Sequence, residues 1–325
     1  MSQSENKEKR LQKIDIFRGL ALIGMVIYHF SWDLSYFSYI SPTVPATGSL
    51  RILARIVAFC FIFTAGFSLY LAHKNGIRWK PFCKRLIIII LAAALVSLVT
   101  FFIMPQGFIY FGILHEIALT SLLALMFLYT PIVFNLLVAV IIFILPFTYQ
   151  SDLFSSPQLL WLGLTPSPKP SFDYVPLFPW FSAGLFGLTV ARLLGKYNAL
   201  DLLQNGIKPR WLNSSLQWLG KHSLVFYLVH QPILLALLYG VSLIAPPSIH
   251  ALRGPMEQAC VSECSEKASR NVCTRFCSCV FDRIEAQNLL PDLSKGELTQ
   301  ADGRLQIPIN MCWNKIVTDA AKPQQ

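Results

Sequence analysis

The chain is short of charge, and above all of negative charge. Only 14% of its 325 residues are Asp, Glu, Lys or Arg, and no Asp or Glu stands between Asp33 and Glu116. Soluble domains carry about a quarter charged residues, so this deficit argues against a water-facing surface over most of the chain. A basic patch interleaved with aromatics on a soluble surface is also missing, which removes the usual footprint of a nucleic-acid binder. The net charge of +10 arises before residue 248, because the segment from there onward holds nine basic and nine acidic residues. There is no fixed-period repeat, and no inverted pair of broken helices of the kind common in transporters. The nearest small-residue cleavage-like site, Val44-Pro45-Ala46, lies far beyond the first apolar run, which itself contains Arg18, His29 and Asp33. That run therefore reads as a retained helix rather than a cleaved signal.

Apolar sequence is what the chain has in excess: 54% of residues, with a mean hydropathy of +0.52. A spanning helix needs about 20 mostly apolar residues. Seven blocks approach this, at 16–36, 51–72, 86–104, 108–128, 131–147, 175–194 and 223–245. The fifth is short and bounded by Pro131 and Pro146. The expected fold is all-α, a polytopic helical bundle of about seven spans. Lys and Arg in the short loops set the orientation. Lys7, Lys9, Arg10 and Lys13 precede the first block; Lys74, Arg78, Lys80, Lys84 and Arg85 follow the second; Arg192, Lys196, Lys208, Arg210 and Lys221 follow the sixth. Seven spans put all of these on one side, so the N-terminus is expected in the cytoplasm of an inner-membrane protein and the C-terminus outside. Arg51 and Arg55 dissent and are expected to face the bundle interior. Three regions follow: a basic tail over 1–13, expected to be disordered, a membrane domain over 14–245 and an extracytoplasmic appendage over 246–325. The loop at 148–174 is stiffened by Pro157, Pro166, Pro168 and Pro170 and is either a cover over an external site or a plain connector. A short surface helix is expected near Trp211.

The first block carries ionisable residues on one face. At about 100° per residue, Asp15, Arg18, His29 and Asp33 fall within roughly 60° of one another, over an axial length of roughly 27 Å. Four such groups cannot all face lipid. Asp15 and Arg18 can pair at i,i+3, and Asp33 beside Trp32 can be interfacial. His29 is harder to dismiss, since a carboxylate one turn on can orient an imidazole and raise its basicity. His115 and Glu116 interrupt the fourth block. His230 stands in the last, followed by Gln231-Pro232. Each is read either as a functional group or as a structural hydrogen-bonding one.

Four stretches, in order, carry a family resemblance. The first is Ile14-Asp15-Ile16-Phe17-Arg18-Gly19-Leu20-Ala21 with Met25-Val26-Ile27-Tyr28-His29-Phe30. Phe111-Gly112-Ile113-Leu114-His115 and Phe178-Pro179-Trp180-Phe181 follow. The last runs from Leu219-Gly220-Lys221-His222 to Tyr227-Leu228-Val229-His230-Gln231-Pro232. Over about residues 10–245 the chain resembles the heparan-alpha-glucosaminide N-acetyltransferase catalytic-domain family of multi-helix membrane acyltransferases. The resemblance implies transfer of an acetyl group from cytosolic acetyl-CoA to a sugar acceptor across the membrane, with an envelope glycan, amine or hydroxyl, as the expected acceptor. The family's first-helix histidine carries over to His29, as general base or as an acetylated intermediate, with Asp33 orienting it. His115 is the expected catalytic partner for acceptor or oxyanion, and Arg18 and His230 are the expected donor contacts. No metal is expected at that site. A proton-coupled permease is the alternative, and a scaffold displaying the appendage a third. Self-association is left open.

Six of eight cysteines lie in the appendage: Cys260, Cys264, Cys273, Cys277, Cys279 and Cys312. The C-x3-C spacing sets each of two pairs on one helical face. Two short helices folded together would join Cys260 to Cys277 and Cys264 to Cys273, leaving Cys279 for Cys312. An even count outside the membrane suits disulfides; zinc is the alternative.

Overall fold

The computed structural model describes residues 11–40, 43–247, 249–294, 298 and 302–320. Lys7, Lys9 and Arg10 lie outside them. The helices are α1 (Gln12–Tyr36), α2 (Thr43–Ala46), α3 (Gly48–His73), α4 (Trp79–Ile103), α5 (Ile113–Ala124), α6 (Ile132–Thr148), α7 (Leu177–Lys196), α8 (Arg210–Lys221), α9 (Ser223–Ile244), α10 (Ile249–Cys264), α11 (Arg270–Ala286), α12 (Leu290–Ser294) and α13 (Gly303–Ala320). Among the described residues there is no strand. Five helices, α1, α3, α4, α7 and α9, are long and apolar enough to cross a membrane, and α5 and α6 are shorter apolar helices. The protein is a multi-pass membrane protein. Ile87, Leu91, Leu95 and Leu98 of α4 and Leu137, Ile141 and Ile144 of α6 are all exposed. Such an apolar surface suits lipid and not water.

Each expected block overlaps a helix, and α4 begins at Trp79 rather than at the expected 86. The block at 108–128 is helical only from Ile113, because residues 105–112 form a turn and an extended return. The expected surface helix near Trp211 is α8, with Trp211 exposed.

The chain divides into two compact units. One holds the described residues up to Ile27 together with Ile52–Gln231; the other holds Tyr28–Arg51 and the described residues from Pro232 on. In the first unit, small residues set the closest approaches. A Cβ on Gly66 would strike the Gly184 carbonyl, and one on Gly187 would strike that of Phe63, so α3 and α7 pack backbone to backbone. Gly19 meets Leu216, and Gly220 meets Asp15, in the same way, seating α8 on α1. Leu69, Ala124, Leu128, Leu185 and Leu188 form the core of the α5–α6–α7 side. There the break between α5 and α6 is closed by polar bonds. Thr130 donates to Asn135 Oδ1 at 2.5 Å, Asn135 Nδ2 donates to the Phe127 carbonyl at 3.0 Å, and Arg192 donates to the Thr130 carbonyl at 2.5 Å.

In the second unit, Tyr39 donates to the Ala245 carbonyl at 2.6 Å. Its appendage is a disulfide-joined helical hairpin. Cys260 is joined to Cys277, Cys264 to Cys273, and Cys279 to Cys312. With all six sulfurs in disulfides, no thiolate remains for the zinc alternative, which is corrected here. Val280, Phe281, Ile284, Leu290 and Leu305 supply the apolar core. Arg253 pairs with Glu257 within α10 (3.1 Å) and holds α10 to α11 through Asp282 (2.6 Å) and Glu285 (2.7 Å). Desolvation works against its charged form, but the three carboxylates outweigh it and raise its pKa above the ordinary arginine value.

Candidate active site

The segment between α4 and α5 returns into the bundle before helix resumes. Thr100 Oγ1 accepts from the Ile109 N–H at 3.1 Å, and Ser97 Oγ donates to the Ile109 carbonyl at 2.5 Å. Ser97 stands six residues before Ile103, the end of α4, or about 9 Å along the axis. The start of α5 therefore lies well inside that end of α4. His115, only the third residue of α5, is deep for this reason, at 3.3 Å from Ser97 Oγ through Nε2. Non-helical backbone at such depth must be covered by protein or line a cavity. The α6–α7 loop covers it. Phe172 N–H donates to the Gly107 carbonyl at 2.9 Å, Val175 N–H to that of Phe111 at 3.0 Å, and Tyr110 hydroxyl to that of Lys169 at 3.2 Å.

The same loop delivers Asp173. Its Oδ2 accepts from the backbone N–H of Ile113 at 2.8 Å and from the Tyr227 hydroxyl at 3.1 Å. Ile113 opens α5, so the carboxylate sits at the positive end of the helix dipole and caps an orphan N–H. Gly112 is required for this approach, since a Cβ there would collide with the carboxylate.

Two histidines in this unit hold opposite tautomers. His115 Nδ1 accepts from the Gly112 N–H at 3.2 Å. Its proton is then on Nε2, facing Ser97. His230 Nδ1 lies 2.7 Å from the Tyr227 carbonyl, which can only accept. Its proton is on Nδ1, and the lone pair is on Nε2, the tautomer of a hydrogen-bond acceptor or base. Tyr227 thus links Asp173, through its hydroxyl, to His230, through its carbonyl.

The remaining expected residues lie elsewhere. Glu116 is fully buried on another face of α5. Its Oε1 accepts from Thr120 at 2.7 Å, and its Oε2 has no hydrogen-bond partner among the described residues. Arg18 is engaged with Ser68 Oγ at 2.5 Å and with Asp15 at 3.9 Å. His29 and Asp33 belong to the second unit. There His29 is half-buried, its ring edge-on to Tyr28 at 5.6 Å, and Asp33 is 3% exposed. Sequence reasoning missed Asp173, Ser97 and Tyr227 as functional groups. The available signals were an acidic residue at the end of a proline-rich loop and a tyrosine three residues before a span histidine.

The family model described as "Heparan-alpha-glucosaminide N-acetyltransferase, catalytic" matches residues 10–232. No curated protein and no solved structure matches the chain at a significant level. The match takes in α1 through the first turns of α9, including every polar group of the candidate site, and the chain belongs to this heparan-alpha-glucosaminide N-acetyltransferase catalytic family of membrane acetyltransferases.

Proposed function

We propose that the protein moves an acetyl group from cytosolic acetyl-CoA to a glycan or amino-sugar acceptor of the cell envelope. The observation that carries this reading is the family match over the spans. The intramembrane polar groups supply the chemistry. His29 acts as general base on the acceptor, with Asp33 one turn on orienting the imidazole. The acceptor nitrogen or oxygen attacks the thioester carbonyl, its proton passes to the imidazole, and the thiolate leaves. Arg18 and His230 serve the donor: the His230 tautomer suits an amide N–H of the pantetheine arm. Arg18 to His29 is about 16 Å along α1, comparable to that arm. His115, with both ring nitrogens engaged, acts as a positioning residue for the start of α5. Asp173 acts with it at the same helix start, through the Ile113 N–H.

The distribution of Lys and Arg supports a cytoplasmic N-terminus, an inner-membrane location and a C-terminus on the far side. On this reading residues 14–245 are the transfer domain and 246–325 an extracytoplasmic appendage. The test is acetyl-CoA consumption by the detergent-purified protein with envelope glycans, wild type against His29→Ala. Turnover lost in a folded variant supports the reading. A wild type that neither binds nor consumes acetyl-CoA overturns it. Radiolabel retained on His29 from the acetyl group would replace direct transfer with an acetyl-histidine route.

One observation favours a second reading, a proton-coupled permease. Glu116 is a fully buried carboxyl with an unsatisfied oxygen, and intramembrane carboxyls are common proton carriers. Proton uptake into proteoliposomes, driven by a sugar gradient and abolished in Glu116→Gln, would establish that reading.

A further inference from the structure

The junction of α3 and α4 forms a cavity of about 150 Å³, open on one side, that the transfer chemistry above does not use, and Arg78 and Arg85 at its charged end are exposed. One wall is Arg78, the residue just before α4, together with the face of α4 that carries Phe82, Arg85 and Ile89. The opposite wall is α3, with Ala65, Leu69 and His73, and Ser121 of α5 closes the side. The polarity runs in one direction. Arg78 and His73 stand at the loop end, Ile89 lies about 16 Å further in along α4, and Ala65 about 12 Å further in along α3.

The charged end lacks counter-ions. Among the described residues the Arg78 and Arg85 guanidinium groups have no carboxylate or hydrogen-bond partner, and no acidic side chain lines the cavity. None can come from α3 or α4, since no Asp or Glu stands between Asp33 and Glu116. His73 Nδ1 accepts from the Arg78 N–H at 3.1 Å. Its proton is therefore on Nε2, a further donor. The positive end of the α4 dipole adds to the same field. Two unpartnered guanidinium forks and a donor imidazole suit a multivalent phosphate.

We propose that this cavity is an anion subsite that takes the diphosphate of the acyl donor, held by Arg78 and Arg85 with His73, with the arm directed along α4 toward Ile89 and Ser121. The proposal rests on the acetyl-CoA reading above. It adds a phosphate anchor distinct from Arg18, whose guanidinium is already engaged with Asp15 and Ser68. The same phosphate chemistry is also offered by an anionic lipid headgroup, so the test separates the two sources.

The experiment uses the full-length protein in nanodiscs of phosphatidylcholine, with acetyl-CoA and inorganic pyrophosphate as probes. Pyrophosphate is expected to compete with acetyl-CoA. Arg78→Gln and Arg85→Gln are each expected to weaken both ligands by about tenfold or more, the scale of one lost charge-assisted contact. Arg85→Lys should recover part of the loss, and monodispersity and thermal unfolding report folding independently. Arginine variants that bind acetyl-CoA as wild type does would overturn the subsite and leave the acetyltransferase reading intact. A wild type that binds pyrophosphate through both arginines but never acetyl-CoA would instead overturn the donor reading and keep an anion site. Displacement by phosphatidylglycerol nanodiscs without any by pyrophosphate would assign the cavity to a lipid headgroup and sink the diphosphate.

Discussion

At the scale of single residues, the deepest polar groups divide into those that hold backbone and those suited to chemistry. His115 and Asp173 belong to the first kind. Each satisfies N–H groups at the start of α5, where the last turn-like segment ends and helix begins. Asp173→Ala should therefore destabilise the protein by about 1 kcal/mol for the lost cap, plus about 1–3 kcal/mol for the Tyr227 hydroxyl left unsatisfied in the interior. Thermal unfolding in detergent measures this. Asp173→Asn keeps an acceptor oxygen and should lose markedly less; equal losses from the two variants would refute the capping role. His230 belongs to the second kind, since its proton is committed to the Tyr227 carbonyl. His230→Gln should raise the KM for acetyl-CoA several-fold without lowering the melting temperature much, whereas His115→Gln should do the reverse. Steady-state kinetics and a melt on the same two preparations check the contrast.

At the scale of elements, the bundle depends on where helices approach without side chains between them. The α3–α7 seam is the clearest case, because a Cβ at Gly66 or Gly187 would meet backbone, which cannot rotate away. Gly66→Ala should cost at least the roughly 1–3 kcal/mol typical of overpacking and shift the protein to aggregates in size-exclusion chromatography. Gly184→Ala meets chiefly the Thr120 side chain and should be milder. Gly240→Ala meets nothing and should be neutral or slightly stabilising through helix propensity. If Gly66→Ala behaves like Gly240→Ala, the two helices do not pack as described.

At the scale of the whole molecule, topology and the appendage make a joint prediction. Cys83 is exposed near the start of α4, and the six appendage cysteines are paired. A membrane-impermeant maleimide should label Cys83 only from the cytoplasmic side. It should label the appendage only from the opposite side, and only after reduction. Mass spectrometry of the labelled protein gives both answers at once. Appendage labelling without reductant would remove the disulfides, and labelling of both regions from one face would remove the odd-span topology.

The sequence by itself determined the membrane class, the existence of seven apolar helices and the family, and it offered the three cysteine pairs beside a zinc alternative. These are local properties. A span is legible because about 20 apolar residues are contiguous, and Cys260–Cys277 with Cys264–Cys273 is legible because helical periodicity sets both pairs on facing stripes. Only the tertiary structure decided that α5 begins at Ile113 rather than 108. It likewise decided that Asp173 reaches back 60 residues to cap that start, that His115 and His230 carry opposite tautomers, and that Arg78 and Arg85 share a cavity with no carboxylate. Periodicity reports which face of one helix is apolar. It does not report which distant loop carbonyl, N–H or carboxylate that face will meet, and those meetings assign protons and charges their roles.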